Sequence, residues 1–216
     1  MPKTLLNATH IAHSFEYPLF TDIEFNLAEE ESIAIIGRSG SGKSTLLHIF
    51  SSFIKPLEGQ VGLLNHKELY SLSDNSIEEI RRNDLGIIFQ AHYLFKGMSA
   101  LDNIEIATIL SHEEIDPTLL KALGIEELMQ QKIGDLSGGQ QQRISIARVL
   151  SKKPKIIFAD EPTGNLDKET ALLVMNVLLN YIKENHAGMI LVTHDEEMAK
   201  LCNRSYKLED KQLKEI

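Results

Sequence analysis

The chain has 216 residues, 43% apolar and 25% charged, which makes one domain with its own buried core, with room for a subdomain, the first expectation. Its 22 basic residues face 31 acidic ones, a net charge of −9, which argues against a general nucleic-acid binder because such a protein needs a positive footprint to meet phosphates. The longest purely apolar run, Ala171 to Met175, is far below the roughly 18 residues needed to cross a bilayer, so any membrane role is borrowed from a partner chain. Met1 to His10 lacks the apolar stretch of a signal peptide. The single cysteine, Cys202, has no intrachain partner and reads as a buried free thiol, which fits a reducing cytosol.

Taken in chain order, the opening forty residues hold β-type segments, including Ile23 to Leu27, that predict an antiparallel flank. Glu29, Glu30 and Glu31 read as a solvated turn before the next strand. Ile33 to Ile36 is a continuous apolar run, as expected of a strand buried on both faces. Gly86 to Phe89 is strand-like. From about Ala91 to Leu150 strand signals vanish and helical patterns dominate, which reads as an inserted helical subdomain. Ile156 to Ala159 and Ile190 to Thr193 again read as buried strands. Between Thr170 and Lys183, Ala171, Val174, Met175, Leu178 and Ile182 recur at helical spacing, with Asp167 available as the cap. The fold class is α/β: a mainly parallel sheet flanked by helices, with an N-terminal antiparallel β flank. One domain, 1–216, divides into a core of 1–90 and 151–216 and a helical subdomain of about 91–150.

Gly37-Arg38-Ser39-Gly40-Ser41-Gly42-Lys43-Ser44-Thr45 matches G-x-x-x-x-G-K-[ST], between a strand and a helix as the motif requires. Glycines let the backbone aim its N–H groups at phosphate oxygens, and the following helix adds its free N-terminal amides. Lys43 reaches the β- and γ-phosphates, the Ser44 hydroxyl is placed to ligate Mg²⁺, and Thr45 supports the phosphate side. Asp160 and Glu161 end an apolar strand. A hard cation needs a carboxylate, and Asp160 is the natural candidate. An attacking water needs a general base, and Glu161 is placed for that.

Leu136-Ser137-Gly138-Gly139-Gln140-Gln141-Gln142-Arg143 opens a helical run ahead of that acidic strand. With the phosphate loop and Asp160-Glu161 in this order, it closely resembles the signature of the ATP-binding-cassette (ABC) ATPases. Gln90 after Gly86 to Phe89 resembles the family's Q-loop glutamine, Gly164-Asn165-Leu166-Asp167 its D-loop, and His194 its switch histidine. The resemblance spans nearly the whole chain. It implies a P-loop NTPase core and a head-to-tail homodimer in the ATP state, each ATP lying between one copy's phosphate loop and the other's Ser137, Gly138, Gly139 and Gln140, with Asp167 alongside. Gln90 would sense Mg²⁺ and the attacking water, and His194 would contact the γ-phosphate. For the adenine-stacking aromatic, Phe15 fits the family position best and Tyr17 is second. No N-K-x-D guanine motif occurs. His10 and His13 stand three apart with no cysteine or further histidine to complete a zinc site. The turn at Glu29 to Glu31 lacks the glycine that the family usually places near there, and Lys132 to Asp135 lacks its common proline.

Asp160 to Asp167 and Gln90 to Phe95 look like the lipoprotein-releasing, macrolide-export and cell-division cassettes of bacteria. That resemblance implies a Mg²⁺-dependent ATPase subunit that drives a separate multi-span permease and sits at the cytoplasmic face of the membrane, with no nucleic-acid partner. Tyr93, Leu94, Phe95 and Met98 would either receive the permease's coupling helix or pack inside the helical subdomain. A soluble ABC ATPase of DNA repair or translation, or a cell-division mechanotransmission ATPase, is the alternative.

Overall fold

The computed structural model describes residues 2–216; Met1 lies outside the described residues. Strands β1 (Thr4–Ser14) and β2 (Pro18–Ala28) pair antiparallel and bury one side, with Leu6, Ile11, Phe20, Ile23 and Leu27 almost wholly enclosed. Strand β3 (Ser32–Ile36) is buried along its length and leads through the phosphate loop into helix α1 (Lys43–Phe50). Strand β4 (Glu58–Leu63) then returns to the free side of β1, giving a three-stranded sheet in the order β2-β1-β4. Two glycines in its Glu-Gly-Gln-Val-Gly-Leu run hide β4 from strand propensity.

The remaining elements build the second sheet and its cover. Helix α2 (Asp74–Asn83) precedes β5 (Leu85–Ile88), then come α3 (Ala100–Ser111), α4 (Pro117–Ala122) and α5 (Gly138–Leu150). After them run β6 (Ile156–Asp160), α6 (Lys168–Glu184), β7 (Gly188–Val192), the short α7 (Glu196–Ala199), β8 (Arg204–Glu209) and β9 (Gln212–Glu215). The sheet order is β5-β6-β7-β3-β8-β9, parallel except for β9, which closes the edge against β8 as a hairpin. The β8–β9 hairpin carries no apolar run; only Tyr206 and Leu208 of β8 are buried, so charged neighbours mask it in the sequence.

Alternation along the central strands sorts the core into two layers. On β6, Ile157 and Ala159 join the cluster under α3 to α6, while Ile156 and Phe158 face α1 and the antiparallel sheet. Burying a side chain such as Phe158 stabilises by about 1.5–3 kcal/mol. Residues of α3, α4 and α5 share one apolar cluster with α6 and the sheet. Cys202 is half-buried at its border, and burial pushes its thiol up to about 11.

Where the two sheets meet, Gly188 has no room for a side chain: a Cβ there would stand 2.8 Å from Leu27 Cδ2 and 2.9 Å from Leu5 Cδ1. A turn stands at Glu29 to Glu31 as expected, with Glu30 exposed, but Glu31 is drawn partly inward and the turn is tied by its side chains. Glu30 takes the left-handed conformation (φ 61°) that a glycine would favour and pairs with His186, while Glu31 accepts the Ala28 N–H at 2.8 Å and pairs with Arg204 at 3.1 Å. Side-chain ties therefore hold this turn in place of a glycine. No helix among the described residues is long and apolar enough to cross a membrane.

Candidate active site

Parallel register brings the chemistry to one edge. Asp160 pairs with Val192, the Glu161 N–H donates to the Val192 carbonyl at 2.8 Å, and the Thr193 N–H donates to that of Ile35 at 3.2 Å. The carboxyl ends of β3, β6 and β7 thus finish side by side, the usual place for a ligand crevice in such a sheet. A cleft of about 620 Å³ opens there. One wall is Ser39, Gly40, Gly42, Lys43, Ser44 and Thr45; the other is Asp160, Glu161, Gln90 and His194. Phe15, Tyr17, Leu19 and Val192 complete the lining.

The loop wall is shaped by glycine. Gly42 sits at φ 100°, and a Cβ on Gly37 would lie 2.6 Å from the Leu208 carbonyl oxygen. Gly42 is also the N-terminal cap of α1 and offers no side-chain acceptor, so the first amides of that helix remain open to an anion. The ammonium of Lys43 folds back and donates to the carbonyls of Gly37 and Arg38, each at 2.9 Å. The Ser41 hydroxyl is buried without a partner.

The acidic wall turns by a backbone twist. Glu161 has φ 49°, a left-handed conformation that swings its carboxylate to the same side as that of Asp160 although adjacent strand residues otherwise face apart. Burial pushes the Asp160 carboxyl above its usual range, and a hydrogen bond from the Ser44 hydroxyl works in the other direction. A half-buried carboxylate beside a hydroxyl and the Gln90 amide forms a hard-oxygen donor set that fits Mg²⁺. His194 is exposed, with Nδ1 2.7 Å from Glu161 Oε1; the Thr193 hydroxyl reaches Glu161 Oε2 at 3.1 Å.

Other predicted residues stand elsewhere. Ser137, Gly138, Gly139, Gln140 and Asp167 do not line the cleft. Ser137 caps α5, and the Gln140 side chain is taken up in return by the Ser137 N–H at 2.8 Å. Asp167 caps α6 through the Thr170 N–H at 2.9 Å. Ser137 and Gly138 are exposed, so a helix start faces outward with room around it. Tyr93 and Phe95 are exposed, whereas Leu94 packs on the core. His10 does not approach His13; it pairs instead with Asp22 at 2.7 Å and Glu24 at 3.3 Å, all three exposed, and these carboxylates raise its imidazole above the ordinary value. Sequence reading misses Leu19 and Val192 in the cleft. Leu19 lies on β2, and only tertiary packing brings that strand to the phosphate loop: a Cβ on Gly42 would stand 3.3 Å from Leu19 Cβ.

Comparison with known proteins identifies the family. A family model described as ABC transporter matches residues 20–164. The lipoprotein-releasing system ATP-binding protein LolD of Rickettsia bellii is 42% identical over 193 residues, 87% of this chain and 85% of that protein. The ABC transporter ATP-binding protein YtrE of Bacillus subtilis is 35% identical over 97% of each chain. Among solved structures, the dimeric bacterial ABC transporter cassette MJ0796 has a TM-score of 0.86 at 32% identity, covering 97% of this chain and 96% of its own. The MJ0796 dimer in a post-hydrolysis state bound to ADP and Pi gives 0.89 at 31%, covering 98% of each. Matched by the family model over well over half its length and by relatives nearly end to end, this chain belongs to the ABC transporter family and is an ATPase.

Proposed function

We propose that the chain is the ATP-hydrolysing subunit of a membrane transporter and works as a head-to-tail pair of copies that closes on ATP. The observation that carries this reading is the separation of two complementary half-sites. The cleft holds a phosphate cradle, a base and cation ligands, while the exposed helix start at Ser137 to Gly139 lies outside it. A second copy related by two-fold symmetry places its own Ser137, Gly138 and Gly139 over the triphosphate, and both sites close together. The dimeric MJ0796 cassettes, one of them holding ADP and Pi, support this arrangement.

In the closed pair, Gly37 to Thr45 cradle the phosphates and Lys43 exchanges its two carbonyl partners for phosphate oxygens. Phe15 stacks on adenine, with Tyr17 on the same wall. Asp160, Ser44 and Gln90 would hold Mg²⁺, which would supply positive charge to offset that of the phosphate oxygens. Glu161 takes the proton of the attacking water as its oxygen bonds to the γ-phosphorus and the bond to the β–γ bridging oxygen breaks. His194 orients that carboxylate through Nδ1 and faces the γ-phosphate with the other side of its ring. Asp167 meets the facing copy.

Closure moves a separate multi-span permease, holding this chain at the cytoplasmic face of the membrane. Exposed Tyr93 and Phe95 in segment 91–150, which we take as the helical subdomain, are the apolar surface offered to it. Relatives named for lipoprotein release, such as those of Rickettsia, favour an export-type permease, whose chain selects the cargo. The test compares wild type with Glu161→Gln in saturating ATP. The variant should accumulate as a dimer in light scattering, with turnover lower by about 10²–10⁴-fold, as for loss of a general base. A monomeric variant with wild-type turnover would overturn the proposal.

A further inference from the structure

We propose that Thr193 is a positioning residue for ATP hydrolysis, its hydroxyl fixing the second carboxylate oxygen of Glu161. The inference rests on the reading of Glu161 as the base. Thr193 is fully buried at the end of β7, immediately before His194. Its hydroxyl accepts the Asp195 N–H at 3.0 Å and donates to Glu161 Oε2 at 3.1 Å. Because the Asp195 N–H occupies a lone pair, the single hydroxyl proton is directed toward Glu161.

The surroundings hold this donor still. The Thr193 N–H is tied to the Ile35 carbonyl in the neighbouring strand. Asp195 caps α7, its carboxylate accepting the N–H groups of Glu197 at 2.8 Å and Met198 at 3.2 Å. A β-branched side chain has few χ1 choices once its backbone is pinned. Glu161 has the opposite problem, since the last torsion of a glutamate is broad and its carboxylate plane turns freely unless both oxygens are held. His194 holds Oε1 but is itself exposed to solvent. Thr193 holds Oε2 from a fully buried position, so of the two ties on the carboxylate it is the one anchored in the packed interior, and it completes the pair that fixes the plane. Misplacement of a reacting group by about 1 Å costs up to about 10²-fold in rate, which is the scale expected here.

The experiment measures steady-state ATP hydrolysis by the full chain in Thr193→Val, Thr193→Ser, Glu161→Gln and the Thr193→Val/Glu161→Gln double variant. Valine keeps the shape and removes the donor; serine keeps the donor. Thr193→Val should lower kcat by about 10- to 100-fold with KM for ATP within about twofold. Thr193→Ser should restore most of kcat, and valine should add nothing to Glu161→Gln. Thermal melts and ATP titration report whether Thr193→Val folds and binds. An unchanged kcat in a folded Thr193→Val, a serine variant as slow as the valine one, or an undiminished valine effect in the double variant overturns the role of Thr193. Wild-type turnover in Glu161→Gln instead sinks the reading of Glu161 itself, so the two failures are told apart.

Discussion

Lys43 shows at the scale of one residue how the resting site is arranged. Its ammonium is almost wholly buried and already satisfied by the Gly37 and Arg38 carbonyls, so arrival of a triphosphate swaps neutral acceptors for charged ones without first stripping an ammonium of water. A charge-assisted bond contributes about 1.5–3 kcal/mol, so Lys43→Met should weaken ATP binding by about 10- to 100-fold in a calorimetric titration. The phosphate loop is legible in the sequence because its chemistry is contiguous: nine adjacent residues carry the glycines, lysine and hydroxyls. The link from Thr193 to Glu161 is not, since the two residues follow the ends of different strands, β7 and β6, and only parallel register brings them together. The solvated reading of Glu31 fails for a similar reason: its partner, Arg204, lies near the far end of the chain.

At the scale of the element, caps and register decide how accurately the site is held. Asp102 belongs to the capping box of α3, Asp116 caps α4 and Asp167 caps α6. Bonds from Ser99, from Thr118 and from the Thr170 N–H hold these three carboxyls below their ordinary value of 3.8. A lowered folded value means the stabilisation is whole above pH 3.8 and is lost as pH falls through the lowered values. Helical circular dichroism should therefore decline in that acid window. An Asp102→Asn/Asp116→Asn/Asp167→Asn chain, whose caps carry no titrating proton, should show a smaller decline there. The helix read between Thr170 and Lys183 begins at Lys168, directly after its cap, because the apolar stripe and the cap agree. By contrast, β4 and the β8–β9 hairpin escape sequence reading, since glycines in one and charged outward faces in the other erase the alternation that marks a half-buried strand.

For the molecule as a whole, one sheet serves two apolar layers, and its carboxyl edge serves the chemistry. Apolar runs at Ile33, Ile156 and Ile190 announce the central strands because burial on both faces leaves no polar position in them. The helical stretch reads correctly as helical but not as to what it packs on, since a shared cluster with α6 is a tertiary fact. The surface left over is informative too. Tyr93 and Phe95 stay exposed, and the Tyr93 ring stands edge-on to Phe89, which packs in turn against exposed Phe53. Tyr93→Ser/Phe95→Ser should fold with an unchanged circular dichroism spectrum and lose capture of the membrane chain in detergent pull-down; retained capture would place the docking surface elsewhere.

Cys202 carries a practical consequence. A thiol pushed up to about 11 exposes almost no thiolate at neutral pH, and thiolate is the form that reacts with maleimides and disulfide reagents. The native polypeptide should therefore react slowly with such labels, which a maleimide time course checks, and a fluorophore or spin probe on one engineered surface cysteine should then report mainly from that position. Distances across two neighbouring molecules become measurable without first deleting the natural sulfur.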